Sequence, residues 1–146
     1  MYKIFVFGTL KEGFPNYQFN VGERLFGEFE TVLLHSIYLV GKRCSPWMVE
    51  NPSAGTLVQG QVFQVDDAAL AVMDALERIN EPDGYQRVEI MVRNKSIALN
   101  KSIPMYAYMK RPAQLTGMQV MSEALSNYSL IDAARYRSRS DSIEMN

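Results

Sequence analysis

The chain has 146 residues, 47% of them hydrophobic and 21% charged, with a formal net charge of -1. This length suits one domain, and a core can form without staples because a chain of about 150 residues buries roughly two-thirds of its unfolded surface. Near-neutral charge excludes nucleic acid as an expected partner, and a single cysteine, Cys44, excludes an internal disulfide.

In chain order, residues 3–7 alternate and mix aromatic with β-branched side chains, then stop at Gly8. They read as a first strand running into a loop. The opening lacks the basic start, apolar run and small-residue cleavage site of a secretory leader. No apolar stretch approaches about 18 residues, so no membrane span is expected and a cytoplasmic location follows. Residues 10–16, with Gly13 and Pro15, read as a loop or short helix entry. Residues 25–40 read as one or two strands. Residues 41–53 contain Pro46 and Pro52 and are expected to be mostly irregular. Residues 56–65 alternate again, with Gly60 marking a bulge or a close backbone approach.

Asp66 is a good N-cap, and Leu70, Met73, Leu76 and Ile79 recur at helical spacing, predicting a helix from about 67 to 79. Pro82 and Asp83-Gly84 form a turn. Strands follow over 85–92, with Val88, Ile90 and Val92 on one face, and over 103–109, with Met105, Ala107 and Met109 opposite Tyr106 and Tyr108. Residues 120–135 have helical periodicity. Residues 1–136 are expected to form a single domain, and 137–146 a polar, flexible tail. Strand pairs without an intervening helix argue for an α+β fold with a curled, mixed or mostly antiparallel sheet.

Five features could carry chemistry. The stretch from Phe7 through Gly8, Thr9, Leu10 and Lys11 to Gly13 puts a glycine at a strand end, where successive amides can bind an anion. It is not a phosphate-binding loop, because Phe14-Pro15 stands where that motif needs lysine and a hydroxyl residue; a plain turn is the competing reading. Glu77 lies at the edge of the helix's apolar stripe, where partial desolvation would raise its pKa towards neutrality and suit acid/base work. A solvated carboxylate paired with a nearby Lys or Arg is the alternative, and Asp74 sits one turn earlier on a similar flank. Trp47 either lines a small-molecule pocket or plugs a sheet end. Tyr85 could donate to a substrate carboxylate, and Arg87 could orient Glu77 or remain a surface charge. Tyr106 and Tyr108 read as core. His35 reads as a buried, satisfied histidine, and Cys44 has only His35 as a possible catalytic partner. One Cys and one His give no metal-ligand cluster.

Together these pieces resemble the γ-glutamylamine cyclotransferase group of the γ-glutamylcyclotransferase-like (AIG2-like) superfamily. The resemblance covers roughly residues 2–110. It rests on Phe5-Val6-Phe7-Gly8-Thr9-Leu10-Lys11 with Gly13 and Pro15-Asn16, on Pro46-Trp47, on the strand from Gly55 through Gln59-Gly60-Gln61 to Phe63, on Leu70 to Glu77, and on Tyr85-Gln86-Arg87. It implies a small mixed barrel with flanking helices and no metal or organic cofactor. It implies Glu77 as general acid/base and Phe7, Gly8, Thr9 and Leu10 as the substrate cradle, with Trp47 and Tyr85 as further binding residues. The implied activity converts a γ-glutamyl amide to 5-oxoproline and a free amine, so the expected partner is a small γ-glutamyl substrate; neither its amine half nor an oligomeric state is specified. Two departures stand out: the family usually has tyrosine where Phe7 stands, and the turn between Glu77 and Tyr85 is about two residues longer. Two rival readings stay open. One is a non-catalytic or differently catalytic ligand-binding member of the same fold. The other is an interaction module using Trp47 and the C-terminal helix. Glu77 argues against both, because a partly buried carboxylate is costly without a use.

Overall fold

A computed structural model describes residues 1–97 and 101–139. Strand β1 (Tyr2–Val6) is followed by a 3₁₀ turn at Tyr17–Phe19, the short strands β2 (Glu23–Arg24) and β3 (Phe29–Thr31), then β4 (His35–Val40) and β5 (Ser45–Glu50). Strand β6 (Gln59–Val65) leads into helix α1 (Asp67–Leu76), and β7 (Gln86–Asn94) and β8 (Ser102–Met109) follow. A 3₁₀ turn at Pro112–Leu115 and a one-turn helix α2 (Leu130–Ala133) complete the order. Among the described residues no helix is long and apolar enough to cross a membrane.

Five strands close a ring in the order β1-β8-β7-β3-β6 and back to β1. Every pairing in it is antiparallel except β1 with β8, where Ile4 lies opposite Tyr106. The expected mixed, mostly antiparallel barrel with flanking helices is therefore the observed one. Its walls follow the two-residue period of a strand. Phe5, Phe7, Val62, Met105, Ala107 and Met109 pack in one core with β4 and β5, including Ile37, Leu39 and Met48. The alternate residues Ile4, Val6, Phe63, Val65 and Tyr108 face outward and pack with Ala69, Leu70 and Met73 of α1. The helix forms where expected: the Asp66 side chain accepts from the Ala69 amide at its start. It ends at Leu76 rather than Ile79, with Glu77 as its C-cap.

Two sequence expectations fail. Residues 41–53 are not mostly irregular, because β5 runs through Pro46 and pairs with β4. Proline is tolerated because its partner, Leu39, turns its own backbone to the opposite side. The Leu39 amide donates to Ser122 Oγ, and its carbonyl accepts from the Met121 amide. Pro46 is thus never asked for an N–H. Residues 120–135 are not one helix either. Their first half is extended against β4, with paired Ile37–Leu125 backbone bonds and a Val40–Val120 bridge, and only α2 is α-helical. Satisfying the open edge of β4 outweighs the weak helical spacing of Met121 and Leu125, which pack on the barrel core. The tail begins with the Arg137 amide donating to the Arg43 carbonyl; residues 140–146 lie outside the described residues.

Gly60 is a close-approach glycine. A Cβ there would sit 2.5 Å from the Val6 carbonyl oxygen and 2.7 Å from the Phe5 ring. Gly60→Ala is expected to lower the unfolding free energy by about 1–3 kcal/mol, the usual cost of overpacking, measured by chemical denaturation. A change within about 0.5 kcal/mol, as at an ordinary surface position, would contradict this role.

Candidate active site

Strand β1 ends at Val6, and the chain turns through Gly8, Thr9 and Leu10 beside β5. Gly8 has no left-handed backbone; its need is room, since a Cβ there would lie 2.8 Å from Pro46 Cγ. The carbonyls of this turn are used: Gly8 O accepts from the Lys11 amide, Thr9 O from the Asn16 amide, and Leu10 O from Asn20 Nδ2. Its amides are not. Among the described residues, the amides of Gly8, Thr9 and Leu10 donate to no acceptor within the protein. Phe7, Thr9 and Leu10 are nonetheless buried. Three successive unpaired amides in one buried turn are the kind of donors an anion-binding concavity uses.

Glu77 lines the same pocket, together with Phe5, Phe7, Pro46, Tyr85 and Tyr108. Position is set by the end of α1: the Glu77 amide bonds Met73 O at 2.9 Å, and its carbonyl accepts from the Tyr85 amide at 3.0 Å. The turn between them leaves Tyr85 on the pocket wall. It folds on itself around Arg78, whose φ is +55°, and Gly84, where a Cβ would meet Arg78 O at 1.8 Å. An Arg78–Asp83 ion pair at 3.0 Å closes it.

The two helix carboxylates have different fates. Asp74 pairs with Arg87 at 2.7 Å and accepts from the Tyr108 hydroxyl at 2.7 Å. Arg87 therefore does not orient Glu77. The Glu77 carboxyl has no hydrogen-bond or ion-pair partner among the described residues. The residue is partly exposed, yet its carboxyl end is enclosed. Burial pushes it up to about 7, against a lowering pull from Lys110, Arg139 and Arg43. A carboxyl group at that value can take or give a proton near neutral pH.

Of the other expected site residues, Tyr85 reaches the pocket, and its hydroxyl donates to the Pro46 carbonyl at 2.9 Å. Burial, then the neighbouring Glu77, pushes its hydroxyl well up. Trp47 does not line this pocket. It is a buried residue of β5, not a loop residue, and stacks under Lys110 Nζ at 4.3 Å. His35 is buried with Nδ1 2.9 Å from Leu33 O, and Cys44 is part of the barrel core; neither lines the pocket. Among the described residues no group of three His, Cys, Asp or Glu could hold a metal ion.

Sequence reading missed Lys110. It is only 4% exposed, held between the rings of Trp47 and Tyr85, with Nζ donating to Asp83 O at 2.5 Å. Burial brings it down to about 8. Strand parity could have found it, because 106, 108 and 110 share a side. Tyr108, read as core, is core and pocket wall at once.

Two outcomes follow. Removing a charge that lowers Glu77 should raise it, so Lys110→Met is expected to lift the carboxyl midpoint above the wild-type value of about 7, read from the Glu77 carboxyl carbon-13 shift. A fall, or no change, would contradict the electrostatic link. Stability should also depend on pH. The folded value exceeds the ordinary 4.5, so the folded chain keeps a proton there that the unfolded chain loses. The stabilising contribution is complete below 4.5 and is lost as pH rises through about 7. The stability of Glu77→Gln relative to wild type should therefore climb with pH across that window and level off above it, in denaturation curves at a series of pH values. A difference that is flat in pH would mean the carboxyl is not held up.

A family model described as γ-glutamyl cyclotransferase, AIG2-like, matches residues 4–130. A γ-glutamylaminecyclotransferase of Rattus norvegicus is 33% identical over 98 residues, 64% of this chain and 64% of the rat protein's own length. A putative γ-glutamylcyclotransferase of Vibrio cholerae is 36% identical over 84 residues, 58% of this chain and 67% of that protein. The crystal structure of an AIG2-like protein from Mus musculus superposes with a TM-score of 0.76 at 27% identity, over 95% of this chain and 97% of that one. An uncharacterised protein from Pyrococcus horikoshii, at 19% identity and a TM-score of 0.62, shares the fold. A barrel whose strand end and helix end meet at one buried carboxyl group, matched over nearly its whole length, places this chain in the γ-glutamyl cyclotransferase, AIG2-like family.

Proposed function

We propose that this protein is a γ-glutamyl-amine cyclotransferase, converting a γ-glutamyl amide to 5-oxoproline with release of a free amine. The observation that carries the reading is the meeting, in one pocket, of unused amides at residues 8–10 and an unpaired carboxyl group held near neutrality. Family membership and the cyclotransferase names of its relatives support the reaction class.

The proposed chemistry needs little from the enzyme beyond geometry and one proton carrier. The substrate's α-amine attacks its own γ-carbonyl carbon, so both reacting atoms belong to one molecule. Holding the folded-back conformer supplies much of the rate. The α-ammonium must first lose a proton, which ionised Glu77 accepts. A C–N bond forms as the γ-carbonyl π electrons move to oxygen, and the amides of Gly8, Thr9 and Leu10 are available to hold substrate and developing negative charge. The γ-carbonyl re-forms as the old C–N bond breaks and Glu77 returns its proton to the departing nitrogen; Glu77 then takes the second proton from the ring nitrogen, leaving the lactam N–H, and passes it to the released amine, which leaves as ammonium. A midpoint of about 7 leaves Glu77 ionised often enough to start and acidic enough to finish. Phe7, Pro46 and Tyr85 wall the pocket and exclude water. Phe7 offers no hydroxyl where the family's usual tyrosine has one, so positioning of the substrate falls to the backbone amides.

Glu77→Gln keeps the side chain's size but cannot take the ammonium proton. It should lower 5-oxoproline release by about 10²–10⁴-fold, towards the upper end because one group serves both transfers. Substrate affinity by calorimetry should be nearly retained. Turnover by the Gln variant within a few-fold of wild type would remove Glu77 from this role.

A further inference from the structure

Two tyrosine hydroxyls stand beside Glu77, and neither is spent on it. Tyr85 and Tyr108 line the inner pocket together with the Glu77 side chain. The Tyr85 hydroxyl donates to the Pro46 carbonyl at 2.9 Å, and the Tyr108 hydroxyl donates to Asp74 Oδ1 at 2.7 Å. A phenol is a strong donor to a carboxylate, and a carboxylate that accepts one holds its negative charge more comfortably and takes up a proton less readily. The Glu77 carboxyl group keeps its affinity for a proton because both hydroxyls are engaged elsewhere.

A peptide carbonyl holds Tyr85, but one side chain holds Tyr108. Asp74 and Glu77 are three residues apart at the end of α1, which makes them neighbours on one helix face. The Tyr108 ring packs against α1 and also walls the pocket, so its hydroxyl faces the row that carries both carboxyl groups. Asp74 is fixed from the other side. The register of β7 with β8 sets Arg87 directly opposite Tyr108. Arg87 Nη1 donates to Asp74 Oδ2 at 2.7 Å, and the guanidinium lies over the Tyr106 ring, 4.9 Å from its centre. Each oxygen of Asp74 thus has its own donor. The other charged or titratable groups that bear on Glu77 come from elsewhere in the fold: Lys110 after β8, Arg43 in the turn between β4 and β5, and Tyr136 and Arg139 in the C-terminal segment. Substitutions at residues 74 and 108 leave all of these in place.

We propose that Asp74 is a positioning residue for the reaction proposed above, on which this inference rests: by accepting the Tyr108 hydroxyl it keeps that donor off Glu77 and leaves the Glu77 carboxyl group free for the substrate's proton.

The test is a cycle of substitutions at residues 74 and 108. It is read by the carbon-13 midpoint of the Glu77 carboxyl and by the pH dependence of kcat/KM for 5-oxoproline release. In Asp74→Ala the Tyr108 hydroxyl loses its acceptor and turns to Glu77, so the midpoint should fall from about 7 by about one pH unit or more. The acid limb of kcat/KM should move down with it, and the rate above that limb should drop several-fold, because a hydrogen-bonded carboxylate is the weaker base. Tyr108→Phe has no hydroxyl to misdirect and should keep the wild-type midpoint. Asp74→Ala/Tyr108→Phe should return to that midpoint as well. The return separates a freed hydroxyl from lost packing or a through-space effect of residue 74, either of which would act whether or not residue 108 carries a hydroxyl. Asp74→Leu keeps the branched shape of aspartate and serves if the alanine variant does not fold. An unchanged or raised midpoint in the residue 74 variant would overturn the inference, as would a fall that persists in the double variant. The carbon-13 reading does not depend on turnover. If wild type releases no 5-oxoproline from any γ-glutamyl amide while the midpoints follow the cycle, the cyclotransferase reading falls and the control of Glu77 by Asp74 stands.

Discussion

The wedging of β1 between β6 and β8 is the constraint on which the site depends. Its residues alternate between two cores, with Phe5 and Phe7 turned into the barrel and Ile4 and Val6 turned to helix α1. A slip of one residue would exchange the two sets and expose both cores to the wrong neighbours. Register is held by five consecutive β1–β6 pairs, from Tyr2–Val65 to Val6–Gln61, and by the contact of Gly60 with Val6 and Phe5. With β1 fixed, the chain emerging after Val6 can turn only towards β5 and the end of α1. The amides of residues 8–10 and the carboxyl group of Glu77 thus meet because the barrel closes.

The electrostatics of the site come from contrast rather than from any single group. Two carboxylates lie one turn apart on one helix. Asp74 pairs with Arg87 and accepts from Tyr108, so its carboxylate is engaged in structure. Glu77, at the C-cap, points past the last turn into an enclosed pocket with no cation in contact, so burial sets its value. Lys110 stops that value from rising further, and is itself restrained by the two rings that hold it. Trp47 thereby bears on the site through Lys110, one layer behind the pocket wall.

Much of this was legible in the sequence because it is local. The alternation in β1, β6 and β8, the Asp66 cap and the turn at Gly8 are each set by neighbours a few residues away, and Glu77 at the stripe edge was visible from helical spacing. What was not legible depends on partners far along the chain. Pro46 read as a strand breaker because nothing in its own sequence reveals that Leu39 bonds to Met121 and Ser122 instead. Residues 120–135 read as a helix because their apolar spacing fits one, while the edge of β4 that claims them lies about eighty residues earlier. Arg87 was a plausible partner for Glu77 until the register of β7 with β8 set it beside Asp74 and Tyr108. Trp47, expected beside the substrate on motif likeness, faces Lys110 and lines a neighbouring cavity with Tyr85 and Arg43 rather than the pocket of Glu77.

In the proposed reaction one enclosed carboxyl group, held near neutrality by the fold, carries the protons for cyclisation of a γ-glutamyl amide. The pH dependence of kcat/KM for 5-oxoproline release addresses it most directly. The rate should rise with pH through an acid limb centred near 7, the value set for Glu77 by burial. An acid limb near the ordinary carboxylate value of 4.5 would contradict it, as would 5-oxoproline release with no acid limb.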